Sequence, residues 1–356
     1  MWTKIKRSLP APIKNRLLPA YRLALTVLHK INPKPYQHMM DWELSRFNNE
    51  EEVNDLPDIF HYWSNKYLKP KFEAHGFSNP DAFFELYAEK AISSTSKHTH
   101  ILSIGSGNCD TEVKLATDLK AHGHHTFTIH CMDINQVMFE RGFELAKQNQ
   151  IENHIKFITQ DFNTWKTNQK YDLIIANQSL HHVVELEHLF EQIKLGLTEN
   201  GYFITSDMIG RNGHMRWPEA LKVLKPIWRK MPERYKFNHT LNRHEKRFIN
   251  HDCSTQGFEG IRAQDILPLL QANFKFELFI PFANLVTVFI DRPFGPNFDV
   301  NNPDDLAFID KIHYLDEHHF ENGTYKPTQM LAAMKVNSNS TPVFGKMSPK
   351  FSIRPI

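Results

Sequence analysis

The chain has 356 residues, with 42 Lys and Arg against 40 Asp and Glu, so it has room for about two domains and no charge excess to attract nucleic acid. Its three cysteines, Cys109, Cys131 and Cys253, lack the paired spacing of a zinc site or a disulfide framework. We therefore expect a cytoplasmic protein without a nucleic-acid partner.

The first segment, residues 1–40, is basic and contains no acid before Asp41. Leucines alternate with the bases in RLLPAYRLALTVLHKI, and the stretch is too short and too charged to span a bilayer. Two interpretations remain open. The segment is either a membrane-peripheral helix attracted to anionic lipid or a basic helix that packs through its leucine face.

Residues 41–93 are predicted to form a helical cap. Pro57 is suited to the first turn of a helix, and Phe60, Trp63 and Tyr67 recur after it at helical spacing. An aromatic stripe of this kind is typical of core packing, with contact to substrate as the less favoured alternative.

The segment ILSIGSGNCD, residues 101–110, combines a buried strand with a turn that contains two glycines, and a helix-forming stretch follows. Gly105 and Gly107 let the backbone turn sharply beside a ligand, and the helix start offers free N–H donors. The dinucleotide fingerprint requires a third glycine where this chain has Asp110, which weakens a nicotinamide interpretation.

Polar residues follow the next three predicted strands. Asp133 ends HTFTIHCMD, Asp161 follows HIKFIT with Phe162 behind it, and Asn177 ends YDLIIAN, shortly before a His-His pair. In a doubly wound sheet a ligand lies outside the carboxyl ends of the strands, so these residues should converge. Asp133 is suited to two ribose hydroxyls, Asp161 to an exocyclic amine and Phe162 to an adenine face.

Residues 209–256 are predicted to form a helical insertion on the substrate side of the sheet. Its opening, GRNGHMRWPE, contains Arg211, His214, Arg216 and Trp217 directly after the fifth strand. These four side chains are predicted to roof the acceptor pocket, because arginine forks suit carboxylate or phosphate groups.

The rest of the chain is expected to complete the sheet and then leave it. FKFELFIPF and NLVTVFID are predicted to be two strands around a turn at Ala283 and Asn284, so that 257–292 ends the core. Residues 293–356 are predicted to form a terminal helix, PDDLAFIDKIHYLDEHHF, and a mobile tail.

Taken together, the motifs SIGSGNCD, MDIN, TQDF, YDLIIANQSLHHV and LGLTENGYFITSD resemble those of class I S-adenosylmethionine-dependent methyltransferases. The resemblance covers Thr99 to about Asp207, within the core predicted at 94–208, and extends to Phe274–Asp291 as the closing antiparallel pair. It implies an α/β, doubly wound (Rossmann-like) fold with a mostly parallel seven-stranded sheet and an antiparallel last strand, extended by the N-terminal helices and the helical insertion. The chain departs from the family pattern at Ser103, where an acid is usual, and at Cys109, where a third glycine is usual.

The resemblance implies S-adenosyl-L-methionine as cofactor and an enzyme that methylates a small-molecule, saccharide or lipid-linked acceptor. The residues assigned to cofactor binding are Gly105, Ser106, Gly107, Asp133, Ile134, Asp161, Phe162 and Asn177. His182 is expected to lie nearest the transferred methyl group, with His181 beside it, because imidazole exchanges protons near neutral pH.

No metal site is predicted. His181, Glu185 and His188 are spaced to share a helix face, but on a polar helix that spacing arises easily by chance. Two other classes of function remain as alternatives: a catalytically silent partner subunit with the same fold, and a nicotinamide-dependent oxidoreductase.

Overall fold

The computed structural model describes residues 34–48, 56–255, 257–338, 341–344 and 347–355. The basic residues before Lys34 lie outside this range, and so does most of the 1–40 segment. The chain divides into two compact units, residues 1–49 and 50–356. In the first unit the described residues form helix α1 (Lys34–Asn48). No helix among the described residues has the length and apolarity needed to cross a membrane.

The second unit is built on an eight-stranded sheet in the order β10-β8-β9-β5-β4-β1-β2-β3. The strands of the described chain are β1 (Thr99–Ile104), β2 (Phe127–Asp133), β3 (Ile155–Thr159), β4 (Tyr171–Asn177), β5 (Leu197–Met208), a separate hairpin of β6 (Phe237–Asn238) and β7 (Arg243–His244), then β8 (Lys275–Phe282), β9 (Gln329–Lys335) and β10 (Val343–Phe344). Strands β1 to β5 pair in parallel, whereas β9 is antiparallel to both β5 and β8.

Helices cover both faces of this sheet. After α1 they are α2 (Asp58–Trp63), α3 (Lys69–Glu73), α4 (Pro80–Ser93), α5 (Asp110–Ala121), α6 (Gln136–Gln148), α7 (Leu186–Gly196), α8 (Pro218–Lys230), α9 (Ala263–Asn273), α10 (Val286–Ile290), α11 (Pro303–Glu321) and α12 (Pro349–Ser352). Alternate strand residues serve opposite faces: Ile101 joins the core under α4 and α5, and Leu102 joins the core under α7 and α9. A parallel sheet buried on both faces explains the nearly continuous apolar runs of its strands.

The structure confirms the doubly wound, mostly parallel sheet but corrects its last part. NLVTVFID was predicted to be a strand, and residues Val286–Ile290 are instead helix α10. Asp316 of α11 explains the difference, since its buried carboxylate accepts the backbone N–H groups of Asn284, Leu285 and Val286 at 2.9–3.0 Å. An anion at these N–H groups stabilises a helix start over a strand.

The antiparallel strand comes from further along the chain. It is β9, which lies between β5 and β8, so the core sheet extends past the predicted boundary at 292 into the region 293–356. That region does contain the predicted helix, observed as α11. Two features of the sequence analysis are thus corrected together: the sheet has eight strands in place of seven, and its antiparallel member is β9.

The aromatic stripe before the sheet packs against α11. Trp63 is fully buried and donates its indole N–H to His313, and the ring of Tyr67 stacks on His313 at 3.7 Å between centroids. Core packing, the favoured interpretation of these aromatics, is confirmed.

Candidate active site

The glycine turn after β1 forms a cradle closed on one side by the turn after β4. Gly105 and Gly107 have φ of +71° and +53°. A Cβ added to Gly105 would lie 2.6 Å from the Cβ of Ser179, so only glycine fits there. The N–H groups of Gly105 and Ser106 both bond to the carbonyl of Met132 in β2, which fixes the turn against the sheet.

Asp133 lies beside this turn at the end of β2. Its two carboxylate oxygens accept the backbone N–H groups of Gly107 and Asn135, each at 3.0 Å. Burial raises the pKa of Asp133, and the N–H groups of Gly107, Asn135 and Ile134 oppose that rise. Each oxygen keeps a second acceptor site, and the side chain is only partly buried. Asp133 is therefore held in place and still able to accept hydroxyl groups.

Two of the other residues assigned to the cofactor have structural partners. Asp161 accepts the backbone and side-chain N–H groups of Asn163 at 2.8 and 3.0 Å. Asn177 donates to Thr111 at 3.5 Å. The ring of Phe162 lies 3.8 Å from the position that a Cβ on Gly105 would occupy, so it lines the cradle.

A buried carboxyl group lies next to Ser103, the position where the family pattern has an acid. The hydroxyl of Ser103 donates to Glu112 of α5 at 2.5 Å, and burial raises the pKa of Glu112 to about 7. Cys109 adopts a φ of +63°, the left-handed conformation that the family's glycine would take freely. Both departures from the family pattern are thus accommodated locally.

Beyond Ser179, three imidazoles surround one carboxylate. Glu259 Oε1 lies 2.7 Å from His214 Nε2 and 3.5 Å from His181 Nε2, and Glu259 Oε2 lies 3.8 Å from His182 Nε2. On its other side, His181 Nδ1 lies 2.7 Å from a carboxylate oxygen of Asp207, a buried residue near the end of β5. We refer to these five residues as the histidine cluster.

Burial and two carboxylates, the buried Asp207 and the half-buried Glu259, determine the pKa values of the histidine cluster. Burial alone lowers the pKa of His181, but Asp207 and Glu259 outweigh it and raise the pKa to about 10. For His182, burial and the neighbouring His181 lower the pKa to about 3. Burial opposes ionisation of Glu259, yet hydrogen bonds from His181 and His214 hold its pKa well below the usual range.

Loop geometry brings the cluster together from three distant segments. Asp207 also accepts the backbone N–H of Leu180 at 2.7 Å, which fixes the turn that carries His181 and His182. The N–H of Gly213 bonds to the carbonyl of Gly260 at 2.7 Å, joining the His214 loop to the Glu259 loop. A Cβ on Gly260 would lie 3.0 Å from His214 Cε1, so glycine permits the close approach.

Of the four residues predicted to bind substrate, only His214 lies in the histidine cluster. Arg216 donates to the carbonyl of His214 at 3.1 Å and to the hydroxyl of Thr287 at 2.5 Å. Arg211 donates to the carbonyl of Arg216 and lies over the ring of Trp217. These contacts hold the loop around His214.

Three residues that sequence reasoning missed are central to the site: Asp207, Glu259 and Ser179. The sequence does contain a signal for Asp207, because this residue lies near the end of a predicted strand, as Asp133 does. Glu259 had none, because it lies 45 residues from His214. The spacing of His181, Glu185 and His188 does not make a site, since His188 instead bonds to the carbonyl of Trp165 at 2.7 Å.

The profile of a methyltransferase domain family matches residues 95–273, just over half of the chain. The chain therefore belongs to this family of S-adenosylmethionine-dependent methyltransferases. No curated protein matches it significantly.

Among solved structures, the chain is similar to an O-methyltransferase from a trans-AT PKS multienzyme of Brevibacillus brevis, which was determined with S-adenosyl-L-homocysteine. The two are 13% identical over 81% of this chain and 82% of that one, with a TM-score of 0.44. It is also similar to the cyclase SpnF, at 15% identity over 71% and 79% with a TM-score of 0.40. YjhP from E. coli is 12% identical over 78% and 98%, with a TM-score of 0.38. At these identities the likeness concerns the fold alone.

S-adenosyl-L-methionine is the cofactor of the family, and the cradle fits it. Ser179 Oγ and Asn108 Oδ1 are buried at the glycine turn and, among the described residues, have no hydrogen-bond partner. Buried polar atoms of this kind normally have one, and a polar ligand in the cradle would supply it. Asp133 retains acceptor sites for ribose hydroxyls, and Phe162 offers an apolar face.

Proposed function

We propose that the protein transfers a methyl group from S-adenosylmethionine to a hydroxyl group of a small-molecule, saccharide or lipid-linked acceptor. The observation that carries this proposal is the position of the histidine cluster. Ser179 touches the glycine cradle, and His181 and His182 follow it within three residues. His182, whose lowered pKa keeps its imidazole neutral and able to accept a proton, therefore lies beside the cofactor site.

When bound, the cofactor supplies an electrophilic methyl carbon on a sulfonium, whose bond to sulfur breaks as the acceptor oxygen attacks. The protein has to align the acceptor, exclude water and take up the hydroxyl proton. We assign the proton to His182, whose side chain is 21% exposed against 5% for His181. Glu259 stabilises the imidazolium of His182 that forms. Asp207 holds the neighbouring imidazole, that of His181, in place.

The first test is transfer of label from S-adenosyl-L-[methyl-³H]methionine to the small-molecule and lipid fractions of a cell extract. We expect labelled product with the intact chain. In Asp133→Ala we expect weaker S-adenosylhomocysteine binding by calorimetry, by about 1.5–3 kcal/mol, since charged hydrogen bonds are lost. Cofactor binding without label in any acceptor would favour the silent partner subunit.

The second test addresses His182. Loss of a general base lowers turnover by about 10²–10⁴ fold, so we expect that loss in His182→Ala with little change in S-adenosylhomocysteine affinity. Added imidazole should restore part of the rate. His125→Ala, which removes an exposed histidine, serves as control. Turnover close to normal in His182→Ala would exclude His182 as the proton acceptor.

A further inference from the structure

Three side chains of the histidine cluster have the arrangement of metal ligands. His181 Nε2, His214 Nε2 and one oxygen of Glu259 all lie within 4.8 Å of one another. The two separations from the Glu259 oxygen are 2.7 Å to His214 and 3.5 Å to His181. Ligand atoms bound at about 2.0–2.1 Å from one ion are roughly 3.0–3.4 Å apart, so small side-chain movements bring all three onto a common ion.

The surroundings of His181 add a second, independent observation. Its Nδ1 lies 2.7 Å from the fully buried carboxylate of Asp207, which leaves Nε2 directed at Glu259. A carboxylate on the far nitrogen is the usual partner of a metal-binding histidine, because it fixes the tautomer and the orientation of the ring. Asp207 in turn accepts the N–H groups of Leu180 and Met208 at 2.7 Å, so its own position is set by the backbone.

The rigidity of the loops also favours a metal site. His214 follows Gly213 in a turn where both have positive φ, of +53° and +65°. The positive φ of Gly213 favours glycine, and a Cβ there would lie 2.1 Å from Oδ1 of Asp252. Asn212 is buried and accepts the N–H of Gln264 at 2.9 Å. His214 is thus held against Glu259 in a backbone conformation that is unfavourable for a residue other than glycine.

We propose that His181, His214 and Glu259 bind one divalent transition-metal ion, with Asp207 orienting His181. Two imidazoles and one carboxylate suit zinc and its neighbours, and three protein ligands leave a coordination position open. His182 Nε2 lies 3.8 Å from an oxygen of Glu259. Metal binding goes beyond the proposed methyl transfer and does not depend on it; if both hold, the open position would receive the acceptor oxygen and make its proton easier to remove.

The test is equilibrium binding of Co²⁺ and Zn²⁺ to the full chain after treatment with chelator and exchange into metal-free buffer. We expect one ion per chain, with ligand-field absorption of Co²⁺ that Zn²⁺ abolishes. His214→Ala and Glu259→Gln should each weaken binding by at least about 100-fold, and Asp207→Asn by about 10–100-fold, the usual effect of losing such an orienting partner.

The matched control is His122→Ala. His122 lies on the surface near Glu85 and Glu89, the other grouping of potential ligands in the described chain. We expect unchanged Co²⁺ affinity in this variant, and S-adenosylhomocysteine binding reports whether each variant is folded. Absence of Co²⁺ or Zn²⁺ binding by the intact chain would overturn the proposal. So would affinity that survives His214→Ala and Glu259→Gln, or that disappears in His122→Ala.

Discussion

Glu112 is deeply buried, and within the described part of the chain its carboxyl group has one side-chain hydrogen-bond partner. Its Oε1 accepts the hydroxyl of Ser103, and its Oε2 has no partner among the described residues. Burial raises its pKa from 4.5 to about 7, so the folded protein holds this proton more tightly than the unfolded chain does. The resulting contribution to stability is complete below pH 4.5 and is lost as the pH rises through 7.

Glu112→Gln should remove this dependence, because glutamine keeps the shape of the side chain without the charge. Between pH 5 and 8 we expect the wild type to lose stability relative to Glu112→Gln by about 3 kcal/mol at most, from a shift of roughly 2.5 pKa units. Urea unfolding at several pH values measures the difference. Glu140→Gln, at an exposed position on α6, is the control. Parallel pH profiles for wild type and Glu112→Gln would contradict the prediction.

At the scale of single residues, the glycine turn, the strand-end acid and the histidines could be singled out from the sequence, whereas the grouping of those histidines around Glu259 could not. Gly105 and Asp133 can be recognised in the sequence because glycine turns and strand ends are local patterns. Glu259 and His214 are brought together by the hydrogen bond between Gly213 and Gly260. These two glycines are 47 residues apart in the sequence, and no periodic pattern links them. The positive φ of His214 likewise cannot be predicted from a single sequence.

Among elements, α10 shows how a tertiary contact overrides local preference. The apolar, β-branched sequence VTVFI favours a strand. It is helical because Asp316 accepts three backbone N–H groups at the start of α10. Asp316 also accepts the hydroxyl of Tyr325 at 2.8 Å. The converse holds for β9, whose sequence QMLAAMK is rich in helix-forming residues but completes the sheet. Strands β1 to β5 were predictable because propensity, periodicity and burial agree in each of them.

Asp316→Ala should therefore destabilise the protein strongly. It leaves the N–H groups of Asn284, Leu285 and Val286 buried without an acceptor, at a cost of about 1–3 kcal/mol each. We expect a loss of at least about 3 kcal/mol in the free energy of unfolding, measured by urea titration. Lys311→Ala, at an exposed position on the same helix, should change it little. An equal effect of the two substitutions would exclude Asp316 as the determinant of α10.

On the scale of the whole molecule, residues 1–49 and 50–356 form two units, and the basic segment before α1 lies outside the residues that the structure describes. We predict that it affects location more than chemistry. Deleting residues 1–33 should reduce sedimentation with anionic liposomes at low salt, because each basic residue near such a surface contributes about 1 kcal/mol. S-adenosylhomocysteine affinity should not change.

Zwitterionic liposomes provide the control for this experiment, since they lack the surface charge that attracts the bases. If the full chain fails to sediment with anionic liposomes at low salt, the alternative holds, in which the segment is a packed basic helix.

The place of β9 between β5 and β8 has a consequence for biosynthesis. A ribosome delivers β5 and β8 before it delivers residues 329–335, so the nascent protein carries an unpaired edge on β5 from residue 208, and a second on β8 from residue 282, until β9 emerges. Unpaired edges recruit other chains. The growing polypeptide therefore has its greatest need of chaperones late in synthesis, and a message cut short before this strand yields a product prone to aggregation even though every residue of the cradle is present.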